Sequence, residues 1–285
     1  MSSRVDLHLH TTASDGQFSP AEVVRQAIAL GMTVIAVTDH DTTEGIAEAR
    51  ETARGSALEV IPGVEISTDV ADSEIHILGY YINDQDAQLR RELEVFRKSR
   101  VNRAQGMVDK LTRLGLPLEW DSVRQIAGEA AVGRPHVARA MLQRGYVSSM
   151  DEAFHLYIGR NGPAYVERYK LTPVEALKII LAADGLPVLA HPLQSTDLVP
   201  QLAKSGLVGL EAYYTGYTPE DTRHLLDLAA QYGLLVTGGS DFHGQNTGAG
   251  SALGEVVVPQ ILPQRLAACH RRRQAQRVRT ASPTS

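Results

Sequence analysis

Short apolar, largely β-branched runs recur at Val5–His10, Thr33–Thr38, Val60–Ser67, Ile75–Ile82, Pro187–Ala190, Val208–Tyr213 and Leu234–Gly238. Each is bounded by polar or turn-forming residues, the pattern of buried strands. Most gaps between them switch to the spacing of amphipathic helices. Ser19-Pro20 reads as N-cap and first helical residue before Ala21–Leu30, and Gly31 stops that helix. Thr172-Pro173 repeats the device before Val174–Ala183, with Gly185 just beyond, and Gly206 and Gly233 close two later helices. Strands alternating with helices predict an α/β fold on a mostly parallel sheet, open or closed as a barrel.

One region breaks the alternation. From Arg100 to Tyr165 the pattern is helical, punctuated by Gly115-Leu-Pro, Gly133-Arg-Pro and Gly159-Arg-Asn-Gly-Pro. A strandless stretch of this length reads as an insertion that covers the strand ends like a lid. The expected organisation is a first part of the barrel over 1–99, a helical insertion over 100–167, and a second part over 168–285 that ends in a basic tail.

The polar residues that interrupt the strands carry the chemistry. His8 and His10 sit at a period of two, which puts both imidazoles on one side of the strand. Asp15 follows in the loop. Asp39-His40-Asp41 ends the second strand, Glu65 the third, and His76 lies in the fourth. His191 follows the fifth, and Asp241-Phe-His243 ends the last. Taken alone, His76 reads as a hydrogen-bonded core residue, and one His-x-His pair says little. Unrelated causes do not place titratable groups on nearly every strand of one sheet, however, and strand ends of a β/α barrel converge on one mouth. Six histidines with Asp15, Glu65 and Asp241 are too many ligands for one ion and suit two or three. His155, His224 and His270 do not share this placement and are expected in surface or packing roles.

Composition narrows the class. The 285 residues are 43% hydrophobic and 21% charged, ordinary for a globular chain. No apolar stretch reaches the roughly 18–20 residues of a membrane span, and Met1–Val5 leads directly into a strand. With Cys269 as the lone cysteine, no internal disulfide forms, and a cytoplasmic location is expected. A net charge of −5 argues against a general nucleic-acid coat. The basic run Arg271-Arg272-Arg273 with Arg277 and Arg279 reads as a solvated helix end, with nucleic-acid contact as the alternative.

Together, Asp6-Leu-His8-Leu-His10-Thr, Ala36-Val-Thr-Asp39-His40-Asp41, Gly63-Val-Glu65, His191-Pro and Gly239-Ser-Asp241-Phe-His243 resemble the successive motifs of the polymerase-and-histidinol-phosphatase (PHP) family. The resemblance implies a distorted (β/α)7 barrel holding up to three divalent ions, commonly manganese, zinc or iron. It implies that His8, His10 and Asp241 hold one ion, that Glu65 bridges to a second completed by His76 and His191, and that Asp15, His40 and His243 hold the third. Some members have histidine where this chain has Asp15. The segment Val132-Gly-Arg-Pro-His136-Val-Ala, followed by Gly162-Pro-Ala-Tyr-Val166, is similar to one branch. That branch removes the 3′-phosphate of nucleoside 3′,5′-bisphosphates and, in some members, trims short RNA from the 5′ end.

Such a site needs no serine or cysteine nucleophile, because divalent ions lower the pKa of water and neutralise phosphoryl oxygens. An all-nitrogen-and-oxygen ligand set rich in imidazole favours Mn²⁺, Fe²⁺ or Zn²⁺ over Mg²⁺ alone. Arg134, His136 and Lys170 are the candidates for holding substrate phosphate. Asp39, Asp41 and His136 are candidates for protonating the leaving group, and Asp39 equally fits a residue that orients a ligand. The catalytic set is then Asp15, His40, Glu65, His191, Asp241 and His243. The expected partners are a small nucleotide and short RNA, with no membrane and no obligatory protein. A histidinol-phosphate or other small phosphomonoester phosphatase is the nearest alternative. A non-catalytic PHP module fits less well, since every expected ligand position is filled. Amide or cyclic-ester hydrolysis lacks the lysine expected at a strand end.

Overall fold

The computed structural model describes residues 4–70, 73–128, 130, 132–167, 171–244 and 252–281. Seven strands follow one another around one sheet in chain order: β1 (Arg4–Leu9), β2 (Met32–Val37), β3 (Glu59–Asp69), β4 (Glu74–Tyr80), β5 (Leu186–Leu189), β6 (Gly209–Tyr214) and β7 (Leu235–Gly239). The sheet nearly closes into a barrel. A parallel bridge joins Leu9 to Phe242, and the His10 amide donates to the Phe242 carbonyl at 2.9 Å.

The seam depends on one buried carboxylate and one glycine. Asp6, 1% exposed, accepts from the Ser240 amide at 2.9 Å, from Ser240 Oγ at 2.5 Å and from the Gly254 amide at 3.0 Å. It thereby ties β1 to the chain leaving β7. Gly239 is needed because a Cβ there would lie 2.4 Å from the His8 amide nitrogen. Any larger residue separates the strands that carry His8 and Asp241.

The expectation of a mostly parallel sheet holds, with one strand reversed. β4 runs antiparallel to both β3 and β5, while the other pairs are parallel. The link from Asp69 to Glu74 is too short for the crossover that parallel strands require. This reversal brings the beginning of β4, not its end, to the barrel mouth, with His76 opposite Ser67. Glu65 likewise lies in mid-strand, because β3 continues to Asp69.

Outside the barrel, α1 (Pro20–Ala29) and α2 (Gly45–Ala53) pack against the sheet. The α1 start is a capping box between Ser19 and Glu22. Between β4 and β5 come α3 (Ala87–Arg113), α4 (Trp120–Ala127), α5 (Arg134–Gln143) and α6 (Met150–Ala153), then a wide helical turn over Phe154–Ile158. The division expected at 99/100 has no break in the backbone, since α3 runs straight through it. Its first half puts Leu89, Leu93 and Phe96 into a barrel cluster, and its second half puts Met107 and Leu111 into a separate core with Val123, Val137 and Met141. Arg100 and Arg103 fall where the helix passes from one core to the other. Then follow α7 (Pro173–Ala182), α8 (Val199–Lys204), α9 (Pro219–Gln231) and α10 (Ile261–Ala281). α10 sets Leu262 and Leu266 against Val5, Leu186 and Val188, at the end of the barrel opposite the mouth.

Gly239→Ala is therefore expected to destabilise the fold by about 1–3 kcal/mol, the range for a forced overpacking. Denaturant unfolding followed by circular dichroism checks this. An unchanged midpoint would show that the seam does not depend on Gly239.

Candidate active site

The mouth brings together all nine residues expected as metal ligands. Glu65 lies at the centre, 1% exposed. Its Oε2 is 3.3 Å from His8 Nε2, 3.1 Å from His10 Nε2 and 3.1 Å from His40 Nδ1. Its Oε1 is 2.9 Å from His76 Nδ1 and 3.4 Å from His191 Nε2. Asp241 Oδ1 faces His8 and His10 at 3.2 and 3.1 Å, and Asp15 Oδ1 lies 3.4 Å from His243 Nε2.

These side chains fit divalent ions. His8 Nε2, both ring nitrogens of His10 and Asp15 Oδ1 are buried without a hydrogen-bond partner, a costly state unless a ligand completes it. Three groups have donor atoms close enough to share an ion: His8, His10, Glu65 and Asp241; His10, Asp15, His40 and His243; and His40, Glu65 and His76. His191 stands beside the last of these, its ring 5.1 Å from that of His76.

Electrostatics agree. Burial works against charge on His8, His10 and His76, but the carboxylates outweigh it there, whereas burial leaves His40 well below the ordinary range. Glu211, Asp241 and Glu65 hold His8 well above the ordinary range, His10 rises to about 10 beside Asp241 and Glu65, and His76 rises to about 9 beside Glu65. Burial alone would raise Glu65, yet the imidazoles of His40, His8 and His76 keep it well below the usual carboxylate range. Metal binding in this cluster displaces the protons that these carboxylates favour on His8, His10 and His76.

A surrounding layer fixes the ligands, and sequence reading missed its main member. Glu211, fully buried on β6, places Oε1 3.0 Å from His8 Nδ1, and its Oε2 accepts the His191 amide at 2.8 Å. It fixes which His8 nitrogen faces the cluster. It also holds His191 in the left-handed region at φ 31°, a conformation that costs of order 1–3 kcal/mol. Asp41 and Asp241, both at φ 53°, turn the chain just past β2 and β7 in the same manner. A carboxylate inside the apolar run Val208–Tyr213 was the available signal for Glu211. Tyr214 donates to Asp241 Oδ2 at 2.7 Å. Asp39 is engaged by the loop after β1: it accepts from the Thr11 amide, Thr11 Oγ1 and Ser14 Oγ at 2.7, 2.7 and 2.6 Å. Asp41 is held by Arg100 Nε at 2.6 Å.

The cluster floors a cavity of about 310 Å³, walled by Arg100, Arg103, Arg134 and Arg139 with Met150, Phe154 and Tyr214. Arg134 pairs with Glu74 and lies over the Phe154 ring. His136 is not among the lining residues. Its Nδ1 accepts the Gly133 amide at 2.9 Å, which caps α5, and burial lowers its pKa to about 4. Lys170 lies outside the described residues. His155 and His224 are exposed, and His270 stacks on Tyr81. No helix among the described residues is long and apolar enough to cross a membrane.

A metal-ready carboxylate–imidazole cluster at the mouth of a seven-stranded barrel defines a class, and comparison with known proteins agrees. The PHP domain matches residues 6–152, and the chain belongs to the PHP family of metal-dependent phosphoesterases. A 5′-3′ exoribonuclease of Haemophilus influenzae is 36% identical over 85% of this chain and 91% of its own. A 3′,5′-nucleoside bisphosphate phosphatase of Chromobacterium violaceum is 30% identical over 86% and 89%. A phosphoribosyl 1,2-cyclic phosphate 1,2-diphosphodiesterase of Eggerthella lenta is 30% identical over 84% and 94%. A solved Bifidobacterium adolescentis structure, assigned to the metal-dependent phosphoesterases, superposes with a TM-score of 0.86 at 31% identity over 95% of this chain and 97% of its own.

Glu211→Gln keeps the shape but loses the charge, and metal affinity is expected to fall about 10–100-fold, read by calorimetric titration. Unchanged affinity would remove Glu211 from the site. In chelator-treated protein, the raised histidines add stability that is complete below their unfolded pKa near 6.5 and is lost as pH rises towards 9–10. The melting temperature should fall over that interval and flatten on adding Mn²⁺. A flat metal-free profile would contradict the assignment.

Proposed function

We propose that the chain removes the 3′-phosphate of nucleoside 3′,5′-bisphosphates, leaving the nucleoside 5′-monophosphate, and that the same site trims short RNA from its 5′ end. The observation that carries this reading is the cationic wall above the cluster. Arg100 and Arg134 are matched by Asp41 and Glu74, but Arg139 makes no ion pair or hydrogen bond among the described residues. A single phosphate on the cluster leaves that guanidinium unused, whereas a second phosphate one sugar away matches it. The names of the Chromobacterium and Haemophilus relatives point the same way.

In this reading His8, His10, Glu65 and Asp241 hold one ion, with His76, His191, Asp15, His40 and His243 completing two further positions. The resident ion is manganese, with zinc or iron as the alternatives the donor set accepts. Such ions attract the phosphate dianion and make water nucleophilic near neutral pH. The protein supplies orientation. Arg139 grips the distal phosphate, and Arg134, steadied by Glu74, holds the Phe154 ring where a base can lie against it. Tyr214 and Glu211 keep Asp241 and His8 from turning away as the substrate's charge arrives. Binding energy from the distal phosphate then positions the one that reacts.

Adenosine 3′,5′-bisphosphate should give 5′-AMP and phosphate, with kcat/KM at least about tenfold above that for 3′-AMP, a preference of about 1.4 kcal/mol. Arg139→Ala should abolish the preference and leave 3′-AMP hydrolysis intact. Product chromatography on a panel that includes histidinol phosphate and a ribosyl 1,2-cyclic phosphate checks this. Faster turnover of either, or a product other than 5′-AMP, would overturn the substrate assignment while sparing the metal site.

A further inference from the structure

The basic run near the C-terminus takes no part in the mouth of the barrel. It lies on α10, which closes the opposite end. This helix carries Arg265, Arg271, Arg272, Arg273, Arg277 and Arg279 and no acidic residue, in a chain whose net charge is −5. Arg277 is spoken for, since it pairs with Asp184 and donates to the Leu181 carbonyl. Arg271 stands near the Tyr81 hydroxyl and is felt by it. Among the described residues, Arg265, Arg272, Arg273 and Arg279 form no ion pair.

Spacing turns part of this run into a surface. Arg265, Arg272 and Arg279 are seven residues apart, so each lies within about 20° of the last around the helix and about 10.5 Å further along it. Ala268 and Ala275 repeat with the same period between them. These short side chains leave a shallow trough of about 620 Å³ beside Leu235, lined also by Arg265, Arg271 and Arg272 and, among the described residues, by no carboxylate. A solvated helix end needs neither the regular arginine row nor the alanine floor.

We infer that this trough binds the phosphate backbone of a single-stranded RNA, as a docking surface separate from the catalytic mouth. The charge is carried by arginine alone, whose planar fork grips phosphate oxygens in pairs. A row of cations with small residues between them suits a repeating polyanion better than one small anion. A lipid surface is disfavoured, because among the described residues Val278 is the one large apolar side chain exposed on the outer turns, too little to insert. The trough goes beyond the substrate reading above: a mononucleotide turned over at the mouth does not reach it. A longer RNA would be held by its body at the base while its end passes around the barrel to the cluster.

The test uses the full-length, Mn²⁺-loaded protein and a fluorescent phosphorothioate-linked RNA of about twelve nucleotides, with binding read by anisotropy across a salt series. The triple variant Arg265→Gln, Arg272→Gln, Arg279→Gln should bind at least about tenfold more weakly. The slope of log affinity against log salt should become shallower by about two, since each lost contact to a single strand contributes about 0.7. Its melting temperature and its kcat/KM on adenosine 3′,5′-bisphosphate should match the parent. Unchanged RNA affinity, or tighter binding to phosphatidylserine vesicles than to RNA, would overturn the proposal. Poor use of the bisphosphate by parent and variant alike would count against the substrate reading and leave this one standing.

Discussion

Five imidazoles face the two oxygens of one buried carboxylate, Glu65, and the energetic problem of that arrangement governs the rest of the barrel mouth. An ionised carboxylate away from water is stable only with opposite charge close by. Glu65, Asp15 and Asp241 share one small volume, so protons on the histidines or divalent cations must balance them. A site that accepts either is one whose occupancy follows pH and metal supply together. Because the donors are already gathered, ions enter without large rearrangement, and the strain of φ 31° at His191 and φ 53° at Asp241 is held by Glu211, Tyr214 and the closed seam.

The seam explains why residues far from the chemistry matter to it. β1 and the residue that follows it supply His8 and His10, while the chain leaving β7 supplies Asp241 and His243. The two edges stay in register through Asp6 with Ser240 and through the close approach at Gly239. A barrel open at this seam would separate the ligands of one ion group into two half-sites.

The cluster and the walls of the cavity above it come from different parts of the chain. The barrel provides the cluster. The helices between β4 and β5 provide the guanidinium groups above it, and α3 joins the two by burying one half in each core. At the point of transition, Arg100 is held to the barrel by Asp41 and Ser67, and Arg103 to the insertion by the Val166 carbonyl. The named relatives include an exoribonuclease, a bisphosphate phosphatase and a cyclic phosphodiesterase, a spread that a common metal cluster permits because every such reaction is attack on a phosphorus centre. In this chain the wall carries Arg139, which makes no ion pair among the described residues.

Much of this was legible in the chain itself. Seven strand positions followed from apolar runs and helix starts from Ser19-Pro20 and Thr172-Pro173, because burial and capping are local demands that leave local patterns. Most of the cluster residues were legible because a polar group within or just past a buried strand is costly unless a ligand or partner meets it there. Tertiary structure decided the rest. The direction of β4 was hidden, since an alternating apolar run reads alike in both directions, and with it the reason His76 reaches the mouth. Glu211 was hidden inside such a run, because its role depends on two ligands 203 and 20 residues away in sequence. His136 and Arg134 looked alike as cationic candidates on one helix turn, and only packing separated them, turning His136 inward to cap Gly133 and pairing Arg134 with Glu74. Sequence determines which groups a chain has to satisfy. Which of them satisfy one another is a matter of distance in the folded state.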